Sequence, residues 1–252
     1  MHWNRRKRLF PGIIQFRTFF FSGHILDKFI ELKREHYLSG DCINNVQQLQ
    51  KFLPAVFIVL FGVGIIGFRI PDLQPYFLAL LPAFLVFVLI LLLYGHQNWS
   101  RKFGLWLIGV FTFGWTVEWI GVNSSMIFGN YEYGDTLGPE LNEIPWIIGI
   151  NWLILTYCCK DIADRVFKHP ALQIIFASLL MVLLDILIEP VAIKFDFWRW
   201  PSDMVPVKNY LGWFGISLLL FGSTYFLNLH WKNRGSVVLY FCLFFFFLSF
   251  AF

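Results

Sequence analysis

Four polar residues stand inside stretches that are otherwise apolar: Glu118, Asn151, Asp185 and Glu189. A charged side chain at the centre of a membrane helix costs about 2.5–3.5 kcal/mol, so each acid needs a reason to be there. Asp185 and Glu189 are four residues apart and share one helical face. Carboxyls gathered in one low-dielectric site repel if all are ionised, so at least one holds its proton near neutral pH. A protonated carboxyl beside an ionised one is the arrangement for general acid–base work. The surroundings are aromatic: Trp115 and Trp119 flank Glu118, Trp146 and Trp152 lie close to Asn151, and Trp198, Trp200 and Trp213 follow. Aromatic faces stabilise a carbocation. Acid, aromatic wall and a little water are what hydration of an isolated alkene requires. The acid protonates one carbon, rings hold the tertiary cation, and water activated by a second carboxylate adds. A purely structural alternative makes the tryptophans interface-belt residues and pairs Asp185 and Glu189 with Asn151 or Lys194.

The elements that must position these residues are membrane helices. The 252-residue chain is 58% apolar and 14% charged, with mean hydropathy +0.62. Repeated apolar runs of about 17–24 residues indicate an all-α, polytopic transmembrane bundle of about seven spans. The spans are expected at 52–69, 76–95, 103–122, 144–159, 171–193, 210–229 and 236–252. Residues 52–252 then form the transmembrane domain, and 1–51 a basic cytoplasmic tail. Within the tail, 24–38 place Ile25, Phe29, Leu32 and Tyr37 near one helical face and Lys28, Lys33, Arg34 and Glu35 opposite. That pattern predicts an amphipathic helix on the membrane surface, with 47–50 as a linker. The apolar start of the chain is too short to span and lacks a small-residue cleavage site, which argues against a signal peptide. With the N-terminus inside, 16 of the 20 Lys and Arg fall on the cytoplasmic side, in line with the positive-inside rule. The expected location is the cytoplasmic (inner) membrane.

This orientation aligns the polar residues. At about 1.5 Å per residue, Glu118 stands roughly 22 Å and Asp185 roughly 21 Å above the cytoplasmic ends of their spans. Asn151, entering from outside, reaches roughly 20 Å in a core of about 30 Å. Asn209 and Trp213 enter the sixth span at the same outer rim. The loop between the third and fourth spans, with GNYEYGDTLGP at 129–139 and no Lys or Arg, is either an ordinary connection or a cap over this level.

Several classes fall away. The six histidines lack HxxxH or HxxH spacing, so the cluster of a membrane di-iron hydroxylase cannot be assembled. No Lys lies in the sixth or seventh span to form a retinal Schiff base. No second Asp-rich motif accompanies D-x-x-x-E at 185–189, and no glycine-rich dinucleotide fingerprint appears. Cys42, Cys158, Cys159 and Cys242 have neither zinc nor redox spacing. A net charge of +4 gives no argument for nucleic acid.

The Glu118-bearing helix, FGNYEYGDTLGP at 128–139, IPWIIGINW at 144–152, D-x-x-x-E-P at 185–190 and WRWPSDMVPVKNYLGWF at 198–214 together resemble the membrane-bound carotenoid biosynthesis proteins, which include carotenoid hydratases. The resemblance covers roughly half the chain. It implies addition of water across the terminal 1,2 double bond of an acyclic carotenoid end group, with no cofactor. The partners would be a carotenoid substrate, water as co-substrate and membrane lipid. Carried over by position, the site residues are Glu118, Asn151, Asp185, Glu189, Trp200 and Asn209. Trp115, Trp119, Trp152 and Trp213 are added from their placement. Asp185 or Glu118 is the expected proton donor, Glu189 or its partner the residue that positions water, and Asn151 the one that orients a carboxyl. The main rival reading is a proton-coupled carrier that uses the same acids as a relay.

Overall fold

The computed structural model describes residues 40–201 and 204–252, with side chains from 51 onward. The amphipathic helix expected at 24–38 lies outside the described residues. Seven α-helices are present among them: α1 (Gly40–Arg69), α2 (Gln74–Tyr94), α3 (Arg101–Ser124), α4 (Ile147–Val166), α5 (Pro170–Lys194), α6 (Val207–Phe226) and α7 (Arg234–Ala251). Lys51–Arg69 of α1, together with α2, α3, α5 and α7, is long and apolar enough to cross a membrane. The chain is a multi-pass membrane protein. The helix α1 already runs through 47–50, the stretch expected as a linker.

Local chemistry sets the helix ends. Ser100 caps α3 by accepting from the Phe103 amide at 3.1 Å, which satisfies one of the orphan donors of the first turn. Asn233 does the same for α7 through the Gly235 amide at 2.9 Å. A proline opens α5, where its missing N–H costs nothing. Pro190 does not end that helix, which continues to Lys194.

The helix α4 is the hub. It packs against α2, α3, α5, α6 and α7, and almost all of its side chains are buried. A helix surrounded by protein can carry polar residues that a lipid-facing one cannot, which explains why α4 is not among the apolar crossing helices. It also runs on to Val166, well past the end expected at 159. Cys158 and Cys159 are therefore buried packing residues inside it. Beyond them, Lys160 pairs with Asp164 and Arg165 with Asp161, each one helical turn apart. Those four charges read as a connection in the sequence, but paired at i,i+4 they extend the helix.

Asp161 is fully buried and ties α4 to α7. Its Oδ2 accepts from the Asn233 amide at 2.9 Å and the Ser236 hydroxyl at 2.5 Å, while Arg165 grips both oxygens at 3.0 and 3.1 Å.

Four short strands complete the fold among the described residues. Residues 140–145 form a hairpin, β2 (Glu140–Leu141) against β3 (Ile144–Pro145). Its two turn residues, Asn142 and Glu143, both have positive φ (51° and 65°), as a two-residue hairpin turn demands. More consequential is the ribbon of β1 (Glu132–Tyr133) and β4 (Trp198–Arg199), in which Tyr133 faces Trp198 and Glu132 faces Arg199.

Replacing Asp161 by Ala leaves the buried Asn233 amide without an acceptor, at about 1–3 kcal/mol, and removes the partner of Arg165; the Ser236 hydroxyl keeps the Asn233 carbonyl. Thermal unfolding in detergent should show a clearly lowered midpoint. Asp161→Asn, which keeps an acceptor, should lose less.

Candidate functional site

The site is built where four helix ends and the β1–β4 ribbon converge. Glu118 comes from the last turns of α3 and is buried. One turn earlier, Gly114 leaves room for the Trp152 ring, since a Cβ there would stand 2.6 Å from its Cγ. That approach lets Trp152, on α4, donate its indole N–H to Glu118 Oε1 at 3.0 Å. The other oxygen, Oε2, accepts from Tyr131 at 2.5 Å and Tyr133 at 2.8 Å.

Glu189, on α5, has a parallel arrangement. Its Oε2 accepts from the indoles of Trp198 at 2.9 Å and Trp200 at 2.8 Å, and its Oε1 accepts from Asn209 Nδ2 at 2.9 Å. The same Nδ2 donates to Asp185 Oδ2 at 2.8 Å. Asn209, near the start of α6, thus joins the two acids of α5 through both amide hydrogens.

The ribbon explains how four donors reach two acids. Side chains alternate across a strand, so Y-E-Y at 131–133 presents both tyrosines to one face and W-R-W at 198–200 presents both tryptophans to the same face. Glu132 and Arg199 point the other way and are exposed. The packing is aromatic: Tyr131 and Trp200 rings lie 5.2 Å apart, and Tyr133 and Trp198 lie 6.2 Å apart. Gly129, at φ 119°, brings the loop in close; a Cβ there would meet Pro206 at 2.9 Å. The loop expected as either a connection or a cap therefore lies over the acids and supplies two of their donors.

Most of these residues line a narrow cleft of about 20 Å³, room for about one water molecule. Its walls include Glu118, Glu189, Asn151, Asn209 and the stacked pair Trp152–Trp213, whose rings are 4.3 Å apart. No Lys or Arg lines it among the described residues. The nearby Lys208 instead donates to the Ser125 carbonyl at the C-terminal end of α3, at 3.1 Å, where a cation is favoured. Lys194 reaches the rings of Phe195 and Phe250, and no ion pair joins it to Asp185 or Glu189 among the described residues.

Several expected residues sit elsewhere. Asp185 is fully buried but does not line the cleft; it stands behind Asn209, with Oδ1 lacking a partner. Asn151 lines the cleft, yet the amide that holds carboxyls is Asn209. Trp115 points its N–H toward the Ile144 carbonyl at 3.5 Å, and Trp119 is exposed. Neither lines the cleft: Trp119 is turned about 100° from Glu118 around α3, and Trp115, nearly one turn earlier, is directed to the β3 carbonyl instead. Tyr131, Tyr133 and Trp198 were missing from the expected set. The alternating Y-E-Y and W-R-W triplets are the signal that points to them.

Tyr131 and Tyr133 lie outside the helices. Burial, reinforced by the neighbouring Glu118 charge, pushes both phenols well above the usual tyrosine range. They therefore remain protonated donors.

The profile of the carotenoid biosynthesis protein family matches residues 77–252, which includes every cleft residue named above. The chain belongs to that family. Among curated relatives, the family member is 25% identical over 133 residues to the bisanhydrobacterioruberin hydratase of Haloarcula japonica. The match takes in 48% of this chain and 45% of the relative, so it spans less than half of that protein's length. No solved structure matches the chain.

Two outcomes follow from the geometry. Gly114→Val should press on Trp152 and cost about 1–3 kcal/mol through overpacking, with altered near-ultraviolet circular dichroism. Alkaline difference titration should be superimposable for the wild type and the Tyr131→Phe/Tyr133→Phe variant through the ordinary phenol range near pH 10, because neither phenol ionises there.

Proposed function

We propose that this chain is a carotenoid-modifying enzyme that adds water across the terminal 1,2 double bond of an acyclic end group. The observation that carries the reading is the pair Glu118 and Glu189. Both acids face one small, aromatic-walled cleft that no described cation lines.

The donor sets suggest different roles. Every partner of Glu189 is an N–H, from two indoles and an amide. None of these can accept a proton, so Glu189 suits the carboxylate that draws a proton from water. Two partners of Glu118 are hydroxyls, which can either donate or accept. Glu118 can therefore carry a proton without losing its hydrogen bonds, and it suits the acid. In the reaction, Glu118 gives its proton to the less substituted alkene carbon. The tertiary cation forms against the Trp152–Trp213 stack, where ring faces favour positive charge. Water attacks as Glu189 takes its proton, and that proton returns to Glu118 to close the cycle. The net change is alkene plus water to tertiary alcohol, with no electron transferred. Asp185 positions Asn209 and through it Glu189. Asn151, whose amide forms no side-chain hydrogen bond among the described residues, is free to hold the incoming water.

The test is expression in cells that accumulate acyclic carotenoids, followed by mass analysis of the pigments. A product heavier by one water is expected, with its oxygen drawn from labelled water. Oxygen drawn from O₂ would sink the mechanism. Glu118→Gln should lower turnover by about 10²–10⁴, the usual contribution of a positioned acid, whereas Asp185→Asn should cost less. Equal losses would return Asp185 to the role of donor.

A further inference from the structure

We propose that the groove between α3 and α6 holds the polyene chain of the substrate while its end group lies in the carboxylate cleft. This inference rests on the hydration reading for the identity of the ligand.

The cleft holds about 20 Å³, room for a water but not for a hydrocarbon chain, so all but the reacting end of the molecule must lie outside it. The way out follows from the packing. Both α3 and α6 line the cleft, through Glu118 on one side and Asn209 and Trp213 on the other. They run antiparallel and both pack on α4, but they barely pack on each other. Farther along the same pair of helices is an apolar groove of about 540 Å³, walled by Leu105, Gly109 and Phe113 of α3 and by Leu219 and Leu220 of α6. Trp106 and Ser223 join the helices at its far end, with the indole donating to the hydroxyl at 3.2 Å. From Glu118 back to Lys102, which lines the far end, α3 rises roughly 24 Å, a path suited to an extended chain. The Trp152–Trp213 stack lines the cleft, and Phe113, less than two turns before Glu118 on α3, lines the near end of the groove.

Two details favour a ligand here. A Cβ added at Gly109 would meet nothing within 4 Å, so the glycine borders open space rather than a packed neighbour. Leu105 and Leu219 are 54% and 62% exposed, so the groove opens sideways to the bilayer and a lipid-dissolved substrate enters without crossing water. A second apolar groove, about 190 Å³ between α1, α2 and α7, is walled by helices that supply no residue to the cleft.

The experiment uses the full chain in lipid nanodiscs loaded with lycopene, reading bound pigment by its absorption and by quenching of tryptophan fluorescence. Gly109→Phe should lower pigment binding about tenfold, and Gly109→Ala should not. Leu219→Trp, which blocks the groove from the lipid side, should repeat the effect if the first variant fails to fold. Gly64→Phe, in the other groove, should bind as the wild type does. Glu118→Gln should keep its pigment and lose conversion. Undiminished binding by a folded Gly109→Phe overturns the proposal, as does loss in Gly64→Phe instead. A wild type that binds pigment through Gly109 but never hydrates it supports the groove and removes the hydration reading.

Discussion

Two acids in an apolar bundle must be surrounded by donors, and most of this structure can be traced to that requirement. Glu118 and Glu189 each receive three hydrogen bonds. Neither has a cation in its cleft among the described residues. Neutral donors satisfy the oxygens without cancelling the charge, as a salt bridge would. Indoles and phenols suit the task because each brings one polar tip on a large apolar body. The donors can then pack as core while solvating a carboxylate.

The same requirement sets the architecture around the site. Four donors on a two-stranded ribbon can serve two helices only if the loop after α3 and the segment after α5 pair with each other, which they do. Asn209 closes the remaining side by holding both acids of α5 from α6. At the opposite end of α4, a second buried acid, Asp161, is treated differently. It has Arg165 on both oxygens and joins α4 to α7. One end of the hub helix is pinned by a paired charge, and the other borders a cleft of unpaired ones.

Much of this is legible in the sequence, for definite reasons. Glu118, Asp185 and Glu189 stand out because acids are rare in apolar runs, and α2, α3, α5, α6 and α7 follow closely from hydropathy, whereas α1 begins well before its apolar run. What is lost comes from tertiary context. The true length of α4 is hidden because Lys160, Asp161, Asp164 and Arg165 look like a solvated connection until their i,i+4 pairing is seen. The exchange of Asn151 for Asn209 as the acid-holding amide depends on helix rotation, which depth alone does not give. Trp119 follows Glu118 in sequence but turns to another face of α3, and Trp115, nearly one turn before it, directs its indole to the Ile144 carbonyl. Tyr131, Tyr133 and Trp198 belong to a pairing of segments more than sixty residues apart, for which the alternation is visible and the partner is not.

The alternation of the ribbon has a further consequence. Side chains in a strand repeat every two residues, so a slip of one position turns each one to the opposite face. A slipped β4 would swing Trp198 and Trp200 away from Glu189 and turn Arg199 inward, among the acids. Inserting or deleting one residue between α5 and β4 would then do more than loosen a loop: it would place a guanidinium where two indoles stood and convert an open pair of acids into a neutralised one. The lengths of these connections are therefore as much a part of the site as its side chains.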